Sequence, residues 1–126
     1  MDVKVVDASA IAALLFGEPE ADDVTKRLGD ARLVAPALLA FELANVCLLK
    51  CRRHANQRDS LRKAFHLRHR LGVEEVTVDH DEILDLAAET GLTAYDASYL
   101  WIARQFQAEL VTLDRQLAAA DAASQA

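Results

Sequence analysis

The stretch Gly91-Leu92-Thr93-Ala94-Tyr95-Asp96-Ala97-Ser98-Tyr99-Leu100 connects two predicted helices near the end of the chain. Gly91 is suited to end the first helix, and Thr93 is a good N-cap for the second. Asp96 follows Thr93 by three residues, where the acid of a capping box stands. The second helix is expected to direct apolar side chains into a core, namely those of Leu100, Trp101 and Phe106.

Outward from this stretch, short apolar runs alternate with helical patterns. Strands are predicted over residues 3–6, 33–35, 73–78 and 109–112. Helices are predicted between them, including an apolar one over 37–49 and an acidic one over 79–89. The acidic helix is expected to turn four residues inward: Ile83, Leu84, Leu86 and Ala87. This alternation is typical of βαβ units, so the predicted fold is α/β, with a mainly parallel sheet covered on both faces.

The composition is that of a compact protein. The chain has 126 residues, 52% of them hydrophobic and 27% charged, which excludes a disordered chain. We expect one domain over residues 1–126, with the Ala-rich end at 118–126 frayed. No signal peptide opens the chain, and no apolar run approaches the ~20 residues of a membrane span, so the expected location is the cytoplasm.

Three acids are placed at predicted strand ends and helix starts. Asp7 directly follows the first strand, Asp114 lies two residues past the last strand, and Asp96 lies in the first turn of its helix. In a parallel α/β fold these positions meet at one edge of the sheet. Each acid taken alone is explained equally well as a helix cap.

A fourth acid, Glu42, lies inside the apolar stretch 37–49, where a carboxylate without a partner is costly to bury. Asn45 shares its face of the helix and could orient Glu42 or a bound water.

If the four acids converge, two carboxylates about 5 Å apart repel by roughly 3 kcal/mol at an effective dielectric near 20. Some of them must then stay protonated, or a divalent cation must neutralise them. Oxygen ligands suit Mg²⁺ or Mn²⁺ better than Zn²⁺, and such a site can direct a metal-bound water at a phosphorus atom.

Four segments, in order along the chain, carry a family resemblance: Val5-Val6-Asp7-Ala8-Ser9-Ala10, Pro36-Ala37-Leu38-Leu39-Ala40-Phe41-Glu42-Leu43-Ala44-Asn45, Leu92-Thr93-Ala94-Tyr95-Asp96-Ala97-Ser98-Tyr99 and Leu110-Val111-Thr112-Leu113-Asp114-Arg115-Gln116-Leu117. Together they resemble the PIN-domain family, and specifically the VapC-type toxins of toxin–antitoxin pairs. The resemblance covers nearly the whole chain.

The resemblance implies a single PIN domain with a three-layer α/β/α fold and short strands. It also implies an endoribonuclease that depends on Mg²⁺ or Mn²⁺, leaves a 5′-phosphate and a 3′-hydroxyl, forms a homodimer and is inhibited by a VapB-like antitoxin. The catalytic and metal-binding residues carried over are Asp7, Glu42, Asp96 and Asp114. The supporting polar residues are Ser9, Asn45 and Thr112.

Other functional classes fit the sequence less well. A phosphoacceptor receiver domain would need paired acids after the first strand and a late Lys, and no Lys follows Lys63. A haloacid-dehalogenase-type phosphatase would need a second Asp where Ser9 stands. The remaining alternative is a catalytically silent PIN-fold module that binds RNA or an antitoxin.

Residues 50–70 carry eight Lys or Arg against one Asp, a net charge of +7 in a chain whose total is −6. Three explanations stay open: a solvated helical face, contact with an acidic antitoxin segment, or contacts to RNA phosphates by Arg62, Lys63 and Arg68. Three histidines in this segment are expected at the surface. Cys47 and Cys51 are expected to be reduced thiols, because His54 is only a weak candidate for a third zinc ligand.

Overall fold

The computed structural model describes residues 2–124 and contains one parallel sheet of four strands. The strands are Val3–Val6 (β1), Arg32–Ala35 (β2), Glu74–Glu75 (β3) and Glu109–Val111 (β4). Their order is β3-β2-β1-β4, so β1 lies between β2 and β4. The register pairs Val5 of β1 with Val34 on one side and Leu110 on the other.

Seven α-helices lie in the described residues. They are Ala8–Leu15 (α1), Ala21–Leu28 (α2), Leu38–Arg53 (α3), Arg58–His66 (α4), His80–Thr90 (α5), Ala94–Phe106 (α6) and Arg115–Ser124 (α7). Short 3₁₀ helices, Ala55–Gln57 and Leu67–Leu71, flank α4. Within residues 2–124, no helix is both long and apolar enough to cross a membrane.

The strand order assigns the helices to two layers. From β1 through β2 to β3 the chain moves toward one edge of the sheet, and from β3 it returns past β1 to β4. Because crossovers between parallel strands are right-handed, α1–α4 lie on one face and α5 and α6 on the other. Consistently, α1 packs on α2 and α3, whereas α6 packs on α5, α7, β1 and β4. The predicted three-layer α/β/α fold with a short-stranded parallel sheet is confirmed.

The core is aliphatic and centred on β1. Val5 and Val6 are both fully buried although successive strand residues point to opposite faces, so helices cover both faces of this strand. The largest fully buried side chains around them include Ile11, Leu100, Ile102 and Leu117. Burial of this continuous cluster is what fixes the carboxyl ends of β1 and β4 next to each other.

The sequence predicts that the basic stretch, residues 50–70, forms the end of one helix, a turn near Ala55-Asn56 and a second helix, and the structure agrees with this order. The long helix α3 ends at Arg53, a turn follows at Ala55–Gln57, and α4 begins at Arg58. Gly72 ends the segment in the left-handed conformation, with φ of 64°, which glycine adopts without steric cost. Residues 118–124 of the Ala-rich end are helical, and residues 125–126 lie outside the described part of the chain.

Two packing predictions are wrong. Leu84 is 64% exposed, because the buried stripe of α5 contains Ile83 and Leu86, and Leu84 lies about 100° around the helix from Ile83. Phe106 is 47% exposed, because it is the last residue of α6, three positions beyond Ala103, the last buried residue of that helix.

One strand is much shorter than predicted. The apolar run over 73–78 forms only the two-residue strand β3 at the edge of the sheet. Its valines pack against the core from irregular backbone, and the amide of Val76 still donates to the carbonyl of Ala35 at 2.8 Å. Burial of the valines therefore does not require a longer ladder with β2.

Candidate functional site

Asp7 lies at the carboxyl end of β1 and caps the N-terminus of α1. Its carboxylate is buried, and both of its oxygens accept hydrogen bonds. Oδ1 accepts from the Ser9 hydroxyl at 2.7 Å and the Ala10 amide at 3.1 Å, and Oδ2 accepts from the Thr112 hydroxyl at 2.5 Å. The structure therefore fixes the direction of this carboxylate from three sides.

The carboxyl end of β4 is tied to the same place. The amide of Leu113 donates to the Ser9 hydroxyl at 2.9 Å, and the amide of Asp114 donates to the Thr112 hydroxyl at 3.0 Å. Asp114 then caps α7, because its Oδ1 accepts from the Leu117 amide at 2.9 Å. The hydroxyls of Ser9 and Thr112 thus join the ends of two neighbouring strands.

This junction lies between β1 and β4, where the order in which strands are added to the sheet changes direction. β1 is followed by helices on one face, and its neighbour β4 is preceded by helices on the other. Such a switch point opens a crevice beyond the carboxyl ends of the strands, where α/β proteins bind their ligands.

Asp96 lies in the first turn of α6 and interacts electrostatically with Asp114 and Asp7. The Thr93 hydroxyl accepts from the Asp96 amide at 3.1 Å, as the predicted cap requires. The second half of a capping box is missing, since no hydrogen bond within residues 2–124 reaches the Asp96 carboxylate. The cap holds the backbone of Asp96 and leaves its half-buried carboxylate without a donor.

Glu42 is held by a residue that the sequence does not single out as part of the site. The Tyr99 hydroxyl donates to Glu42 Oε1 at 2.5 Å, and the Tyr99 side chain is almost fully buried. The bond joins α3 in one layer to α6 in the other. The sequence favours packing of Tyr99 in the core or a dimer interface over stacking on bases. Its spacing of three residues from Asp96, on the same helix face, is the signal that could have identified it.

The acids act on one another electrostatically. Burial raises the pKa of Asp7, and the charge of Asp114 raises it further, against the lowering effect of its hydrogen bonds. The pKa of Glu42 is raised by burial and then by Asp96 and Asp7, while the Tyr99 bond lowers it. Burial also raises the pKa of Asp96, as do the charges of Asp114 and Asp7. Burial and the neighbouring Glu42 raise the pKa of Tyr99, so its hydroxyl keeps the proton that it donates. The four predicted acids are therefore linked electrostatically: Asp7 and Asp96 interact with each other, and each of them also interacts with Asp114 and Glu42.

The supporting residues are placed differently from one another. Ser9 and Thr112 both contact Asp7, as described above. Asn45 is exposed, and its side chain makes no hydrogen bond within the described residues. It follows Glu42 on α3 but does not hold it.

The oxygen atoms of these side chains are of the kind that a hard divalent cation prefers as ligands. They are carboxylate and hydroxyl oxygens, which Mg²⁺ and Mn²⁺ prefer, and a cation would offset the mutual repulsion of the acids. Across residues 2–124, however, no group of three or more His, Cys, Asp or Glu side chains is close enough to hold a metal ion as it stands. Ligation therefore requires the carboxylates to draw closer together.

The basic side chains lie away from these acids in sequence, on α4 and the following turn. Arg62 and Lys63 are exposed, whereas Arg68 is half-buried and stacks on the ring of Phe65, 3.9 Å from its centroid. Arg68 also donates to the Phe65 carbonyl at 3.2 Å. Arg68 is therefore partly structural, and Arg62 and Lys63 are free for other contacts.

Comparison with known proteins identifies the family. The PIN domain model matches residues 4–123. Ribonuclease VapC3 of Pyrobaculum aerophilum is 34% identical over 119 residues, which span 90% of this chain and 91% of that protein. Exonuclease VapC9 of the same organism is 54% identical over 39 residues, 31% of this chain and 29% of that protein.

A solved structure gives the same result at the level of the fold. The crystal structure of PAE2754 from Pyrobaculum aerophilum superposes with a TM-score of 0.76 at 29% identity, covering 94% of this chain and 84% of that one. The chain therefore belongs to the PIN-domain family, as one of its VapC-type members.

Proposed function

We propose that this protein is the toxin of a type II toxin–antitoxin system and acts as a metal-dependent endoribonuclease. One observation carries the proposal: Asp7, Glu42, Asp96 and Asp114 interact at the switch point of the sheet in a chain of the PIN family. Asp7 is buried, and Glu42 and Asp96 are half-buried. Carboxylates in such positions that repel one another are unfavourable in the free protein and become useful when a cation and a phosphodiester are bound.

In this proposal, Asp7, Glu42 and Asp96 would hold Mg²⁺ or Mn²⁺ directly or through water, and Asp114 would complete the site or help to hold a second ion. The cation, when bound, activates a water for attack on the phosphate and offsets charge in the transition state. The chain supplies the positioning. Ser9 and Thr112 fix both oxygens of Asp7, and Tyr99 fixes one oxygen of Glu42 and leaves the other free.

The catalytic part of the proposal is tested with Asp7→Asn and Asp96→Asn. Both changes keep the side-chain size but remove a charge, and we expect RNA cleavage in Mg²⁺ or Mn²⁺ to fall at least about a hundredfold. Asp85→Asn is the matched control, because Asp85 is an exposed acid of α5 outside the site. Cleavage at wild-type rates by both site variants would refute the scheme.

A silent binding module is the second candidate, favoured by the fact that both Asp7 oxygens already accept hydrogen bonds. The same assay separates the two. Wild-type protein that binds RNA in Mg²⁺ and Mn²⁺ without turnover would favour the silent module.

We further propose that the basic segment contacts RNA phosphates through Arg62, Lys63 and Arg68. Replacing Arg62 and Lys63 by Gln is expected to weaken RNA binding. The slope of log K against log[salt] should fall by about 0.7 for each single-strand phosphate that the protein no longer neutralises. The double variant Arg104→Gln/Arg115→Gln removes the same charge from exposed positions elsewhere. If the salt slope changes equally in the two double variants, Arg62 and Lys63 make no specific contacts to RNA phosphates.

Partners and location complete the proposal. A VapB-like antitoxin, a homodimer and a cytoplasmic location are what the family membership suggests. Co-expression with the product of an adjacent small reading frame, followed by size exclusion, tests the first two.

A further inference from the structure

A cavity between α3 and α4 combines free thiols with positive charge. It has a volume of about 680 Å³, within the range of small-molecule sites. Cys47 and Cys51 line it, one helical turn apart on α3, together with the basic side chains Arg52, Arg58, Arg62, His66 and Arg68. No acidic side chain from the described part of the chain lines it.

The two thiols differ in access. Cys47 is only 6% exposed, and its Sγ donates to the carbonyl of Leu61 at 3.6 Å. Cys51 is half-buried and lies one helical turn from Cys47 on α3. Both are free of disulfides. Cys51 is therefore the thiol that a molecule entering the cavity can reach.

The positive charge of the cavity is not neutralised internally. Within residues 2–124, Arg52, Arg58 and Arg62 form no hydrogen bond or ion pair, and the nearby Lys50 pairs with Glu18 at 3.3 Å. The charge of Arg62 acts on Cys47, so this guanidinium lies close to the thiols. Such a cavity concentrates anions beside the thiols.

We propose that Cys51 is a modification site for small anionic disulfides. The Cys51 thiol gives up its proton to solvent, and its sulfur attacks one sulfur of the disulfide. A new S–S bond forms at Cys51 as the old one breaks, and the second half leaves as a thiolate that takes up a proton. Cys51 is oxidised and the released half is reduced, so no further oxidant is needed. Cys47 is not the nucleophile, because it is buried and its proton is engaged by Leu61.

Glutathione disulfide, which is anionic, and cystamine, which is cationic, are the probes. The rate of adduct formation on the folded protein is followed by mass spectrometry at low ionic strength and divided by the rate for the urea-unfolded chain. We expect this normalised rate to be about tenfold or more higher for glutathione disulfide than for cystamine. The double variant Arg58→Gln/Arg62→Gln should lose this preference, and Arg104→Gln/Arg115→Gln should keep it.

Single Cys variants locate the adduct. Cys47→Ser should be modified by glutathione disulfide as fast as the wild type, and Cys51→Ser should resist modification while folded. Labelling of folded Cys51→Ser at the wild-type rate would overturn the assignment. So would equal normalised rates for the two disulfides, or a charge preference that survives the loss of Arg58 and Arg62.

One consequence rests on the proposed function. A glutathionyl group at Cys51 adds negative charge beside Arg62, so RNA affinity should fall several-fold and return after reduction with dithiothreitol. Adduct formation is measured without RNA. Failure of the modification and failure of RNA binding are therefore separate results.

Discussion

Asp7 and Asp96 are both acids at helix starts, but their carboxylates differ in hydrogen bonding. Asp7 accepts three hydrogen bonds, which lower its pKa against the effect of burial. The Asp96 carboxylate accepts none within the described residues, and every effect on its pKa raises it. Asp96 is thus the acid that gains least from the fold in the absence of a cation.

Replacing Asp96 by Asn should stabilise the protein at neutral pH without divalent cations. The folded-state pKa of Asp96 lies above its ordinary value, so its stabilising contribution is full below the ordinary carboxyl pKa of about 4 and is lost as pH rises through the raised value. We expect Tm to rise by about 3 °C at pH 7 and the difference from wild type to vanish at about pH 3. Thermal unfolding across this pH range measures it.

Asp85→Asn serves as the reference for loss of a surface charge and should leave Tm nearly unchanged. A destabilised Asp96→Asn at pH 7 would contradict the unfavourable environment inferred for this carboxylate.

At the scale of elements, the bond from Tyr99 to Glu42 connects α3 to α6 across the two helical layers. Long helices on opposite faces of a sheet otherwise meet only through the strands between them. This bond therefore ties α3 to α6 three residues after Asp96.

Removing this hydroxyl should loosen the packing of the two helices. Tyr99→Phe is expected to lower the free energy of unfolding by about 1–2 kcal/mol, because a hydrogen bond to a carboxylate is removed while the ring stays in place. Tyr95→Phe is the control, since Tyr95 is 65% exposed and should change stability by less than about 0.5 kcal/mol. Urea unfolding measures both, and equal effects would show that the bond is not stabilising.

Sequence patterns predict where strands and helices lie better than they predict the residues at which these elements begin and end. β1 lies within its predicted bounds, and the turn between α3 and α4 falls where the Ala55–Asn56 pair suggests. The run over 73–78 is overextended as a predicted strand, because its valines are partly buried by packing against the core, and only Glu74 and Glu75 form the ladder with β2. α3, predicted as almost wholly apolar, leaves Phe41, Leu48 and Leu49 exposed on one side.

At the scale of the molecule, the chain is acidic overall, and four of its acids interact electrostatically near the carboxyl ends of β1 and β4. The net charge is −6, and residues 50–70 carry most of the positive charge on a separate part of the fold. A divalent cation that binds only the folded state would relieve this local repulsion and stabilise the whole domain.

We therefore expect Mg²⁺ or Mn²⁺ to raise the stability of the wild type at neutral pH. At ten times the dissociation constant the gain is about 1.4 kcal/mol, measured as a shift in Tm at constant ionic strength. Asp7→Asn should lose the shift, whereas Asp85→Asn should keep it. If NaCl at the same ionic strength raises Tm equally, the effect is general screening of charge repulsion and not binding of a cation at a site.

The sequence by itself determined the alternation of strands and helices, the caps at Asp7 and Thr93, and the position of acids at strand ends. These features depend on residues within a few positions of one another, where periodicity and capping chemistry are visible. Only the tertiary structure decided that Thr112 fixes Asp7 and that Tyr99 holds Glu42, since these pairs are 105 and 57 residues apart. It also decided that Leu84 of α5 and Phe106 at the end of α6 are exposed. Such contacts depend on how whole layers pack, and the free energy of that packing comes from the entire core.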